Sequence, residues 1–226
     1  MVRRAVVLLS GGLDSAVVLA LARRDWDEVY ALTVRYGQRH VIEVECARAV
    51  ARDAGVREHR VLDVDLSSWG GSALTGDGEV PKDRATPDAT NDVPPTYVPA
   101  RNTILLALAL GWAEVLGAGA IYIGAHTQDA GGYPDTRPEY LEAFERMSAL
   151  ATRAGLEGRG PRVLAPLVRM SKAEVIATGR SLGVDFAKTS SCYDPLPSGA
   201  PCGRCDSCRL RAKGFEEAGA ADPRSG

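Results

Sequence analysis

Long apolar runs are missing from this chain, which argues against a membrane-spanning role. No stretch of its 226 residues stays apolar long enough to cross a bilayer. Met1-Val2-Arg3-Arg4 precedes only a short run, without the length or small-residue cleavage site of a secretory signal. A cytoplasmic protein is expected. Basic excess is missing too: 27 Lys and Arg against 29 Asp and Glu give a net charge of −2, and the pI is near 6.0. No global positive field therefore points to DNA or RNA, and a free nucleotide or small base suits this surface better than a tRNA. Internal repeats and low-complexity tracts are absent. What is present, with 45% hydrophobic residues, suffices for one domain with a full core plus a small appendage.

The phosphate loop with Gly-Lys-Ser/Thr is absent as well, but another glycine turn stands near the start. Ala5-Val6-Val7-Leu8-Leu9 is short, β-branched and unbroken, as in a strand buried on both faces of a parallel sheet. Ser10-Gly11-Gly12-Leu13-Asp14-Ser15 follows at once, and Asp14 or Ser15 opens a helix with Val17, Val18 and Leu21 on its apolar face. Two glycines let the backbone approach a ligand, and a helix N-terminus offers unpaired N–H groups to an anion. Phosphate or pyrophosphate binding is implied; a plain strand-to-helix turn with a Ser or Asp cap is the bland alternative.

Further strands are expected at 29–34, 59–64, 120–124 and 163–164, and helices at 41–54, 102–116, 138–154 and 171–182. The last begins with a Ser-x-x-Glu capping box at Ser171 and Glu174. Alternation of this kind gives an α/β fold, a doubly wound parallel sheet with ligands at the carboxyl ends of its strands. Residues 10–15, 35–40 and 124–129 should then meet around one crevice. Two stretches break the rhythm. Residues 67–99 are rich in Gly and Pro and read as a functional lid or a disordered segment. Residues 127–138 form a second Gly/Pro-rich loop, carrying Asp129, Tyr133, Asp135 and Arg137. Residues from Ala218 onward look frayed, His59 is expected at the surface, and Cys46 reads as a small buried apolar residue.

Cysteine is scarce until Cys192, Cys202, Cys205 and Cys208, a Cys-x9-Cys-x2-Cys-x2-Cys array. Soft thiolates on two close Cys-x2-Cys steps can wrap one ion tetrahedrally, with Gly203 allowing the turn. Arg204, Arg209 and Arg211 could offset the charge of a zinc tetrathiolate. A cytoplasmic chain disfavours disulfides. An iron–sulfur cluster is the rival to zinc. With four protein ligands there is no open position, so zinc here would be structural. The expected divisions are an α/β domain over 1–190, a zinc-binding knuckle and helix over 191–218, and a flexible tail over 219–226.

The Ser-Gly-Gly-x-Asp-Ser turn resembles the pyrophosphate loop of the N-type ATP pyrophosphatases, the PP-loop enzymes. Joined to the cysteine array, it is similar to the 7-cyano-7-deazaguanine synthase family. Tyr36-Gly37-Gln38-Arg39-His40, Tyr97-Val98-Pro99-Ala100-Arg101-Asn102-Thr103, Gly132-Tyr133-Pro134-Asp135 and Ser191-Cys192-Tyr193-Asp194-Pro195 carry the likeness further. His126 and Thr136 depart from it, where many members carry Asn and Cys. The resemblance implies an adenine nucleotide alpha hydrolase-like, Rossmann-like fold with one structural Zn²⁺. It also implies a ligase of queuosine biosynthesis that uses ATP with Mg²⁺. Its substrate, 7-carboxy-7-deazaguanine, would be converted with free ammonia to the nitrile by two adenylations through an amide. The alternative is a related PP-loop enzyme acting on another deazapurine, a protein terminus or a tRNA base. Partners would be these small molecules, with no nucleic acid and no membrane, and a homodimer is possible.

Roles follow from the same likeness. Leu9, Ser10, Gly11, Gly12, Leu13, Asp14 and Ser15 would bind ATP, Asp14 either capping the helix or orienting Mg²⁺. Lys172 would contact phosphate, or else be a solvated charge. Arg101 would neutralise the pyrophosphate, or else form a simple ion pair. His126, Asp129, Tyr133, Asp135 and Arg137 would hold the base, unless their chemistry is that of ordinary turns.

Overall fold

The computed structural model describes residues 2–38, 42–84, 93–126 and 133–225. Arg39, His40 and Asp129 lie outside the described residues. Five parallel strands form one sheet: β1 (Arg4–Leu8), β2 (Glu28–Arg35), β3 (Glu58–Asp63), β4 (Ala120–Tyr122) and β5 (Arg162–Leu164), in the order β3-β2-β1-β4-β5. Helices α1 (Leu13–Asp25), α2 (Ile42–Asp53), α3 (Arg101–Leu116), α4 (Pro138–Ala151), α5 (Arg153–Leu156), α6 (Lys172–Ser181) and α7 (Asp206–Glu217) connect and follow them. No described helix is long and apolar enough to cross a membrane.

The central strand shows why its apolar run has no polar face. Ala5, Val7 and the following Leu9 enter one core layer, while Val6 and Leu8 enter the other. The first layer collects α1, α2, α6 and Phe215 of α7; the second collects α3 and α4. Strand order reverses its direction of growth at β1 and β4, so the carboxyl ends of these strands open a crevice.

Several boundaries have local causes. Gly117 takes the left-handed conformation at φ 61°, and Ala118 N–H bonds Ala113 O at 2.8 Å, closing α3. The capping box at Ser171 and Glu174 is present in both halves. The helix expected over 138–154 breaks, because Thr152 turns extended and caps α5 through Gly155 N–H at 2.9 Å. Cys46 is buried on α2 as expected.

Three expectations need correction. Much of the 67–99 stretch is packed rather than disordered among the described residues: Leu74, Val80 and Val98 lie in the core with Leu66. Apolar residues spaced too irregularly for a helix still bury when a loop crosses an open sheet face. His59 is half-buried, its Nε2 2.8 Å from Thr33 Oγ1. The stretch after Ala218 is tied back, since Asp222 accepts two hydrogen bonds from the buried Arg211 at 2.8 and 2.9 Å.

Candidate functional site: a phosphate loop braced by the cysteine cluster

The turn after β1 is held by its own hydroxyls. Ser15 Oγ donates to Gly12 O at 3.0 Å and accepts from Ser10 N–H at 3.2 Å. Ser10 Oγ accepts from Gly12 N–H at 3.2 Å, and Ser191 Oγ accepts from Leu13 N–H at 3.3 Å. These hydroxyls occupy amides that a phosphate could take instead, an arrangement suited to anion exchange. Gly12 is the N-cap residue of α1 and supplies no side-chain cap, so the Ser or Asp cap considered from sequence is not what starts this helix.

Asp14 does something else. Both its carboxylate oxygens accept from Lys172 Nζ, at 2.9 and 3.0 Å. Lys172 is 12% exposed and Asp14 26%, so Lys172 is no solvated surface charge. The crevice around this pair is lined by Leu9, Ser10, Gly12, Leu13 and Ser15, and by Arg101, His126 and Tyr133. Gly11 is not among its walls; it packs against α2. Arg101 forms no salt bridge among the described residues. Its Nη1 donates to Tyr36 Oη at 3.4 Å, and its guanidinium lies 5.6 Å from the Tyr36 ring centre.

The base loop divides. Tyr133 lines the crevice, stacked on Tyr97 at 6.1 Å and bonded through its hydroxyl to Thr96 Oγ1 at 2.7 Å. Asp135 is turned away from it. Ala100, before α3, is left-handed and offers no cap, and Asp135 Oδ2 accepts from Asn102 N–H at 2.9 Å in its place. Arg137 is exposed and donates to Pro134 O at 3.2 Å. Neither lines the crevice among the described residues: one side chain is engaged by an uncapped helix start, the other by a turn carbonyl. Asp135→Ala should lower unfolding stability by about 1–3 kcal/mol, as a buried amide loses its acceptor. Urea titration measures this; an unchanged midpoint would refute the capping role.

Tyr36, from the 35–40 stretch expected at the crevice, lines it, and Glu43 lines it unforeseen. Burial pushes the Glu43 carboxyl up to about 7, against the pull of Arg101. The signal available for Glu43 was its position in the first turn of the helix after β2, at the carboxyl edge of the sheet.

The four clustered sulfurs of Cys192, Cys202, Cys205 and Cys208 lie within 4.8 Å of one another. That compactness fits one tetrahedral ion with metal–sulfur bonds of about 2.3 Å; an iron–sulfur cluster spreads its thiolates over separate irons. Backbone N–H groups of Asp194 and Cys202 reach Cys192 Sγ at 3.4 and 3.2 Å. Hydrogen bonds from Cys192 and Cys208 hold the Cys205 thiol low. The expected charge partners are occupied elsewhere: Arg204 bonds Asp83, Arg209 bonds Arg84 O, and Arg211 bonds Asp222. Residues from the long loop clamp the cluster instead. Lys82 pairs in a β-bridge with Cys205 and bonds Asp194 at 2.8 Å.

Cluster and glycine turn are neighbours in space, although far apart in the chain. Ser190 N–H donates to Gly11 O at 2.9 Å, and Ser191, immediately before Cys192 of the cluster, holds Leu13.

Comparison with known proteins agrees with this architecture. The family profile described as "Queuosine biosynthesis protein QueC" matches residues 4–219. A 7-cyano-7-deazaguanine synthase from Geobacter sulfurreducens is 58% identical over 99% of this chain and 93% of its own. One from Solidesulfovibrio magneticus is also 58% identical, over 98% and 94%. Among solved structures, the NMN synthetase of Francisella tularensis aligns with a TM-score of 0.52 over 97% of this chain and 79% of its own. At 15% identity it speaks to the fold alone.

Proposed function

The chain belongs to the QueC family of queuosine biosynthesis, and from that premise we infer how its crevice works as a 7-cyano-7-deazaguanine synthase, an ATP-dependent ligase. The observation that carries the reading is the hydroxyl-held loop at the carboxyl end of β1, facing the Asp14–Lys172 pair. A carboxylate resists ammonia because oxide leaves poorly and the anion repels nucleophiles. Transfer to AMP, with pyrophosphate departing, removes both obstacles. Ammonia then gives the amide, and a second ATP activates the amide oxygen so that loss of AMP leaves the nitrile.

Ser10, Gly12, Leu13 and Ser15 grip the β- and γ-phosphates through amides and hydroxyls, with Gly11 locking the turn onto α2 and Leu9 beneath them. Lys172 turns from Asp14 to the phosphates, freeing Asp14 for Mg²⁺. Arg101 balances the charge that develops on departing pyrophosphate. Tyr133 and His126 wall the deazapurine, with Asp129 as its carboxylate partner. Cys192, Cys202, Cys205 and Cys208 hold one zinc, which is structural because no fifth group is needed to close its shell. The work takes place in the cytoplasm on small molecules, without nucleic acid.

Incubation with 7-carboxy-7-deazaguanine, ammonium, Mg²⁺ and ATP should yield the nitrile and two AMP per turnover by mass spectrometry. Amide as the end product would reduce the enzyme to an amidating ligase. Sedimentation of the same preparation reads the homodimer, with a monomer removing it.

A further inference from the structure

Asp14 and Glu43 are the two carboxylates among the described residues of the crevice, and Asp14 is engaged by Lys172. Glu43 is fixed where the chemistry happens. Its carbonyl oxygen lies so close to Gly11 that a Cβ there would approach it to 2.1 Å, which locks the first turn of α2 onto the phosphate loop. Arg101 of α3 and Tyr36 line the same crevice, and their charges and its carboxyl act on one another. A carboxylate beside a bound triphosphate is electrostatically adverse unless it serves a cation or takes up a proton. The reaction inferred above brings both, because ammonia arrives at neutral pH chiefly as ammonium and all of its protons must leave before a nitrile forms.

We propose that Glu43 is the catalytic base of the amidation and nitrile-forming steps, binding ammonium beside the acyl-adenylate and accepting its protons. This rests on the synthase reading. In the first round Glu43 takes a proton from ammonium. The lone pair of the resulting ammonia forms the C–N bond, the C–O bond to AMP breaks with its electron pair going to AMP, and the surplus N–H proton follows to Glu43 once the first has passed to water. In the second round the amide oxygen carries AMP after one N–H proton has left. Glu43 removes the last N–H proton, its electrons complete the triple bond, and AMP departs with the C–O pair. A carboxyl raised by burial to about 7 both takes and returns protons near neutrality, which an exposed glutamate does poorly.

Glu43→Gln keeps the shape and removes the base. Its ATP–pyrophosphate exchange with the 7-carboxy base, without ammonium, should stay within about twofold of the unaltered protein. Nitrile formation should fall about 10²- to 10³-fold. Hydroxylamine, uncharged at neutral pH and already nucleophilic, should still trap the adenylate at close to the original rate. The unaltered protein should lose amidation on the acid side of about 7, a limb missing from E43Q. Retained nitrile synthesis in E43Q would overturn the proposal, as would joint loss of exchange and amidation, which would assign Glu43 to ATP binding or to the fold. Absence of exchange in the unaltered protein would bring down the synthase reading itself, and this proposal with it.

Discussion

Alanine at Gly11 should give a protein that neither exchanges pyrophosphate into ATP nor withstands urea as the unaltered chain does. Gly11 has φ +87°, which costs a residue with a Cβ about 1–2 kcal/mol. Space is the larger obstacle. The new Cβ would lie 2.1 Å from Glu43 O and 2.8 Å from Ala47 N, both backbone atoms, so α2 itself must move. That helix buries Ala47, Val50 and Ala51 in the core behind the sheet, and shifting it adds packing loss. The total expected is about 3–5 kcal/mol, at the upper end for a single substitution. Gly12→Ala provides the contrast. Gly12 has an ordinary φ of −79°, and its Cβ would meet Ser10 Oγ at 3.3 Å and Ser190 O at 3.5 Å. That variant should fold almost normally while crowding the amides that receive phosphate. A Gly11→Ala protein with the original urea midpoint would show that loop and helix are not locked together.

Cys205→Ser should release the metal and take the nucleotide site with it. Cys205 is fully buried, belongs to the core cluster, and receives Tyr193 N–H at 3.5 Å on its sulfur. A serine hydroxyl is a hard, protonated group that does not replace a thiolate in a tetrahedral site. Metal binding in such knuckles is part of the folding free energy. Losing about 4 kcal/mol would lower the melting temperature by roughly 8–16 °C in a domain of this size. Exchange activity should fall as well, because Ser190 and Ser191 brace Gly11 and Leu13 from the segment that ends in Cys192. Metal analysis, calorimetry and exchange on one preparation test all three points. Zinc at full content in the variant would sink the ligand assignment, and iron in the unaltered protein would replace zinc.

How much of this was legible in the sequence depended on whether a signal was local. The apolar run of β1, the glycine turn and the Ser171–Glu174 box each act within a few residues, and each stands where the pattern put it. The cysteine array was legible because two-residue gaps dictate proximity. What escaped was set by distant partners. Asp135 looked like a ligand for a base because nothing nearby reveals that Ala100 leaves α3 uncapped. The 67–99 stretch looked loose because its buried residues follow no period. Glu43 is one acidic residue among many until the sheet edge puts it beside Gly11.

The contacts that complete the phosphate loop span 158 residues from Asp14 to Lys172 and 178 from Leu13 to Ser191. A chain emerging from the ribosome therefore makes its signature turn first and finishes it almost last. Until the far end arrives, Leu13 lacks Ser191 and Asp14 lacks Lys172, so the turn formed first stays unbraced through most of synthesis.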